Sequence, residues 1–215
     1  MSQEALQQLL QEHPQRLWRG QAAAPQGVAT AWPVLDTVLG KWPRGALTEI
    51  YSSVDGIGEL RLVLPAVAEL SRREKRWVLW LTPPYLPYAP ALVAAGIDLS
   101  RMLLVHPRQR LDSLWVLEQA LRGGTCSAVL AWPPFLAPAQ LRRLQLAAEE
   151  GQSVAFFFHK AEEEGGHSLA ALRLRLAPTP SGLRVQVRKR RAGLPGEGEL
   201  TFPEQMAWSF SPNGS

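Results

Sequence analysis

Residues 46–61 read Ala46-Leu47-Thr48-Glu49-Ile50-Tyr51-Ser52-Ser53-Val54-Asp55-Gly56-Ile57-Gly58-Glu59-Leu60-Arg61. An apolar run, a glycine-bearing turn and the start of a helical period follow one another without a gap. The run 46–51 is expected to be a strand. Residues 58–73 are expected to be a helix, because Leu60, Val63, Leu64, Val67 and Leu70 recur at the spacing of one helical face. A strand that turns directly into an amphipathic helix is the repeating unit of an α/β sheet.

The unit repeats outward from there. Strands are expected at 77–81, 102–105, 128–132 and 154–158, and helices at 88–95, 111–122 and 138–150. Residues 154–158 are apolar throughout, as in a strand covered on both faces. Such alternation implies right-handed crossovers and a mainly parallel sheet. Residues 169–176 and 183–189 alternate apolar with polar, which predicts half-exposed antiparallel strands at one edge. The expected class is α/β, a three-layer core with a mainly parallel central sheet and antiparallel C-terminal edge strands.

Composition divides the chain into three parts. Residues 1–29 form an arm: a short helix with Ala5, Leu6, Leu9 and Leu10 on one face, then a Gly/Ala/Pro linker. Residues 30–177 carry the dense apolar pattern of the core. Residues 178–215 turn basic and Gly/Pro-rich, and read as basic strand and flexible tail. Met1-Ser2-Gln3-Glu4 lacks the start of a signal peptide, and no apolar run reaches the roughly 18 residues of a membrane helix. Cys126 is the only cysteine, which excludes an internal disulfide. These features lead us to expect a cytoplasmic protein with no membrane contact. The net charge of +4 permits a nucleic-acid or acidic partner without requiring one.

Two resemblances follow from particular residues. Leu35-Asp36-Thr37-Val38-Leu39-Gly40, Pro43-Arg44-Gly45 and Glu49-Ile50-Tyr51 resemble the approach to the phosphate loop of bacterial RecA, and Gly96-Ile97-Asp98-Leu99 and residues 185–190 keep its order. Leu17-Trp18-Arg19-Gly20, residues 42–49, 56–61, 87–92, 114–122 and 141–149 resemble ImuA, the RecA-related accessory protein of the translesion mutasome, and the related SulA division inhibitors. The ImuA resemblance implies a role in SOS-induced, error-prone DNA synthesis. Its implied partners are ImuB and a C-family polymerase, with RecA and DNA left open. The alternative is a SulA-like inhibitor that binds the tubulin-like division protein. The core fits both; the arm with Trp18 and Arg19 and the basic tail favour the ImuA reading.

The nucleotide chemistry is checked residue by residue. A phosphate loop needs glycines, a lysine for the β/γ oxygens and a hydroxyl for Mg²⁺. In the stretch Ser52, Ser53, Val54, Asp55, Gly56, Ile57, Gly58, Glu59, Leu60, the RecA register places Gly58 at the lysine and Glu59 at the hydroxyl. A carboxylate about 4 Å from a phosphate oxygen is repelled by roughly 1 to 4 kcal/mol. Asp55 and Glu59 instead suit a helix N-terminus. Pro84 stands at the catalytic glutamate, and Val129-Leu130-Ala131-Trp132 offers no Asp for Mg²⁺. The expectation is a vestigial loop, no ATP hydrolysis and no cofactor.

Other candidates are fewer. His13, His106, His159 and His167 lack metal-ligand spacing, so no metal is expected. Glu162-Glu163-Glu164 sits where RecA holds DNA and would repel phosphate. Arg184, Arg188, Lys189, Arg190 and Arg191, with Trp18 and Arg19, are the candidate DNA or partner contacts. Trp80, Trp115 and Trp132 are expected in the core, and Trp18, Trp32, Trp42 and Trp208 outside it. The apolar face of the N-terminal helix leaves the oligomeric state open.

Overall fold

The computed structural model describes residues 27–134, 136–160, 168–191 and 195–202. The expected N-terminal helix, Trp18, Arg19, the acidic triplet and Trp208 lie outside the described residues. A short ribbon opens the chain: β1 (Gly27–Ala29) pairs antiparallel with β2 (Lys41–Pro43), and α1 (Pro33–Leu39) lies between them. Then β3 (Ala46–Ser52), α2 (Glu59–Arg73), β4 (Trp77–Leu81), α3 (Ala89–Ala94), a 3-10 turn (Leu99–Arg101), β5 (Met102–Val105) and α4 (Arg110–Arg122) follow. The order continues with β6 (Cys126–Ala131), α5 (Pro138–Gly151), β7 (Val154–Lys160), β8 (Leu172–Thr179), β9 (Gly182–Arg190) and β10 (Gly196–Thr201).

The main sheet has eight strands in the order β10-β9-β8-β3-β7-β6-β4-β5. Every pair from β8 to β5 is parallel, while β9 and β10 add antiparallel at the far edge. The class is therefore mixed α/β, with a mostly parallel sheet and antiparallel edge strands. β8 departs from expectation: it pairs parallel with β3, and only its other side meets an antiparallel neighbour. Its alternation reflects a difference between faces. Leu172, Leu174 and Leu176 enter the core, while Arg173 and Arg175 point to the opposite side.

Strand periodicity splits the core into two layers. On one face Leu35 and Leu39 of α1, with Leu62, Val63, Val67 and Leu70 of α2, cover Ile50, Val78, Trp80, Phe156 and Leu174. On the other, Leu117 and Leu121 of α4, with Leu141 and Leu144 of α5, cover Leu47, Leu79, Val129 and Phe157. Residues two apart share a face, so β4 sends Val78 and Trp80 one way and Leu79 and Leu81 the other. No residue of β8, β9 or β10 joins the second cluster among the described residues.

Two tryptophans are placed differently from the sequence reading. Trp42 is fully buried edge-on against Phe156, 5.1 Å between ring centroids. Trp115 is 62% exposed, because α4 turns Leu117 and Leu121 toward the sheet instead. Among the described residues no helix is long and apolar enough to cross a membrane.

Candidate functional site: the carboxyl rim of the sheet

In parallel α/β sheets, binding sites form beyond the carboxyl ends of the strands. Here that rim is built by the loop after β3, the turn after β4 and the ends of β6 and β7. The β3–α2 loop bends on two left-handed glycines, Gly56 at φ +77° and Gly58 at φ +104°. Its backbone donors face the loop's own side chain. The Gly56 N–H donates to Glu59 Oε1 and the Gly58 N–H to Glu59 Oε2, each at 3.2 Å. Glu59 thus sits at the N-terminus of α2, where negative charge is favoured. Asp55 turns away from the helix and pairs with Lys160 at the end of β7, 2.5 Å apart.

A ring closes the other side of the loop. A Cβ on Gly58 would stand 2.5 Å from Phe202 Cε2. Phe202, just beyond β10, also meets Trp32 at 5.8 Å and lies under the Arg61 guanidinium at 4.9 Å. Burial pulls the Arg61 pKa below its usual value. The loop amides and the space over Gly58 are therefore filled from within the chain.

Next along the rim, the turn after β4 is strongly apolar and open. Thr82 adopts φ +50°, its N–H donating to the Val105 carbonyl and its hydroxyl to the Trp132 carbonyl. Trp132 stacks on Phe158 at 4.7 Å and on Trp80 at 5.8 Å, which gives the turn a rigid floor. Beyond Thr82 the chain presents Tyr85, Leu86 and Tyr88 at 71%, 81% and 65% exposure. Pro84 lies in this turn, and the end of β6 carries Ala131 and Trp132. Composition hid this feature, although Pro83-Pro84-Tyr85-Leu86-Pro87-Tyr88 is an apolar run with too many prolines to enter the core as helix or strand.

Below the rim, on the face that α4 and α5 leave to β3 and β8, lies a buried charged cluster. The sheet register places Glu49 beside Arg173, Arg173 beside Lys189 and Tyr51 beside His159. Arg173 Nε is 3.2 Å from Glu49 Oε2, and His159 Nε2 is 4.0 Å from Oε1. His159 stacks on Tyr51 at 5.0 Å, and the Arg173 guanidinium covers the same tyrosine at 5.1 Å. Burial, reinforced by the Arg173 charge, lowers the His159 pKa to about 4, so the imidazole is neutral near pH 7. Burial also raises the Tyr51 phenol, with Glu49 adding to the shift. Desolvation lowers the Lys189 ammonium, whose Nζ donates to the Ser168 carbonyl at 2.5 Å. The cluster ties four strands together. The sequence signal for it was a glutamate and an arginine placed inside strands.

The basic segment is engaged within the chain. Arg184 pairs with Glu197 at 3.3 Å and approaches Glu199 at 3.9 Å. Arg190 donates to the Val38 carbonyl, and Arg191 pairs with Glu149, each at 3.0 Å. Lys189 is held as described, and Arg188 has an interaction of its own. Among the described residues no group of three or more His, Cys, Asp or Glu side chains is placed to hold a metal ion. Cys126 is buried, and that burial raises its thiol pKa.

Comparison with known proteins fixes the family. Residues 45–155, about half of the chain, match the family described as "Cell division inhibitor SulA". A protein of that name from Edwardsiella piscicida is 32% identical over 103 residues, 48% of this chain and 61% of the relative. One from Pectobacterium carotovorum is 32% identical over 123 residues, 57% of this chain and 72% of the relative. The crystal structure of SulA from Pseudomonas aeruginosa is 28% identical with a TM-score of 0.44, covering 53% of this chain and 97% of that one. The chain thus spans about three fifths of the Edwardsiella relative's length. This corrects the ImuA-like reading, and with it the expected contacts with ImuB, a C-family polymerase, RecA and DNA. The ImuA-like blocks between 56 and 149 fall inside the matched region, Trp18 and Arg19 lie outside the described residues, and the basic segment is spent on internal contacts. From its core outward, the chain belongs to the SulA family.

Proposed function

We propose that this chain is a non-catalytic SOS inhibitor of cell division that binds the tubulin-like division protein through its carboxyl rim. The family match supports the role, and the relatives carry the name of division inhibitors. The observation that carries the surface is the open trio Tyr85, Leu86 and Tyr88, held over the stacked Trp132 floor. Aromatic anchors on a rigid support are what a specific protein interface uses at its centre. A RecA-like ancestry of the three-layer core is the finer reading. It is supported by the strand–loop–helix order of residues 46–73 and by glycines at 56 and 58. In that reading the loop is vestigial: Glu59 fills the place of a bound phosphate, and inhibition proceeds by binding alone, without nucleotide turnover.

The test is a titration of the purified division protein with the wild-type chain and with Leu86→Glu. Leu86 is 81% exposed, so the variant keeps its fold and melting temperature. The expected result is saturable binding by the wild type and a loss of at least about tenfold in the variant, the effect of burying a charge at a hot spot. Equal affinity of the two proteins would remove the rim from the account.

A further inference from the structure

The geometry points to a second copy of this chain as the occupant of the free edge of β5, paired antiparallel across a two-fold axis to join the two sheets. This goes beyond the division-inhibitor reading and does not rest on it. β5 is the last strand of the sheet, hydrogen-bonded to β4 on one side. A strand edge carries a row of backbone donors and acceptors that another strand completes. Proteins usually guard such an edge with charge, proline or a covering element. Met102-Leu103-Leu104-Val105 has no charge and no proline. Leu103 and Leu104 are each 38% exposed, and by strand alternation they lie on opposite faces. The β4–β5 connection adds Val93 and Leu99, at 57% and 37%.

The occupant must itself be a strand that is apolar on both faces and has an edge to offer. The sheet's other terminal strand, β10, reads Gly196-Glu197-Gly198-Glu199-Leu200-Thr201, and its glutamates lie against Arg184. It is guarded and cannot match β5. Among the described strands of this chain, only β5 has the chemistry that fits β5. Antiparallel pairing about a two-fold through Leu103 or Leu104 keeps each face continuous, so apolar residues meet apolar residues on both. With the axis at Leu103, Arg101 faces Val105 of the second copy, and the two Arg101 charges stand roughly 14 Å apart along the strands. A parallel pairing would set them side by side. Because the strands run oppositely, the two carboxyl rims face opposite ends of the dimer, and each copy keeps its own rim open.

The full chain, alone in solution, decides the matter without any division protein, so this result and the partner titration can fail independently. Sedimentation equilibrium is expected to give about twice 23.8 kDa for the wild type and 23.8 kDa for Leu103→Glu and Leu104→Glu. A cross-link guards against misfolded variants. Directly opposite residues of an antiparallel pair are about 4.5–5.5 Å apart at Cα, within disulfide range. Leu103→Cys or Leu104→Cys, whichever lies on the axis, is then expected to form a covalent dimer on mild oxidation with diamide. The wild type, whose Cys126 is buried, is expected not to. A monomeric wild type overturns the proposal. So does a dimer unchanged by both glutamates, or one lost on removing residues 1–26 while both glutamate variants still dimerise. Failure of both cysteine variants to cross-link overturns it as well.

Discussion

Replacing His159 with phenylalanine is expected to flatten part of the acid side of the protein's stability profile. His159 stacks on Tyr51 and faces Glu49, Arg173 and the edge of Phe157, and its pKa falls from the ordinary 6.5 to about 4 on folding. The unfolded chain therefore binds a proton at this position at a higher pH than the folded one. The contribution to stability is complete above the unfolded value and is lost as pH falls through the interval from 6.5 to about 4. At about 1.4 kcal/mol per unit the full loss is about 3 kcal/mol, of which about 2 kcal/mol has gone by about pH 5. A phenylalanine keeps the stack and has no proton to bind. Urea unfolding of wild type and His159→Phe, followed by tryptophan fluorescence at about pH 7.5 and about pH 5, isolates the histidine, because the carboxylates titrate in both proteins. The wild type should lose about 2 kcal/mol more than the variant between the two pH values. Parallel losses would refute the burial argument.

Two further substitutions probe the loop and the helix packing. Glu59→Ala removes the acceptor of the Gly56 and Gly58 N–H groups. It should cost about 1 kcal/mol, seen as a melting point lower by about 2–4 °C and roughly fivefold faster exchange of those two amides. Unchanged amide protection would show that the carboxylate does not hold the loop. Gly151→Ala places a Cβ 1.9 Å from the Leu121 carbonyl oxygen and 2.9 Å from that of Arg122. Both obstacles are backbone, so α4 and α5 must part, and thermal denaturation should report a loss of about 2–4 kcal/mol. A loss below about 0.5 kcal/mol would mean the helices are not locked at that point.

Much of the sheet was readable because its strands obey one rule throughout. The run Trp77–Leu81 and the run Met102–Val105 form strands with the bounds that their apolar stretches suggest, and α2, α4 and α5 begin and end within a residue of their periodic patterns. β8 was misread for a physical reason. An alternating strand normally signals a solvent-facing edge, whereas Arg173 is buried by pairing with Glu49, a contact 124 residues away in sequence that no local pattern announces. Trp42 looked like a surface residue because it lies in a short loop-like stretch; only the β1–β2 ribbon folds it onto Phe156. The basic run 188–191 looked like an interface because composition counts charges without their partners. Its arginines instead find Val38 and Glu149, carried by elements far away in sequence. The rim was overlooked for the opposite reason. Tyr85, Leu86 and Tyr88 are apolar, and only coordinates show that they stay outside the core.

The account rests on binding without catalysis, and one measurement meets that claim directly. GTP-driven assembly of the purified tubulin-like division protein, followed by polymer sedimentation, is titrated with this chain in the absence of ATP. Polymer should fall in proportion to added chain until the two proteins are equimolar, and Leu86→Glu should leave it standing. Polymer that persists at equimolar wild-type chain, or that falls only when ATP is supplied, would contradict the account.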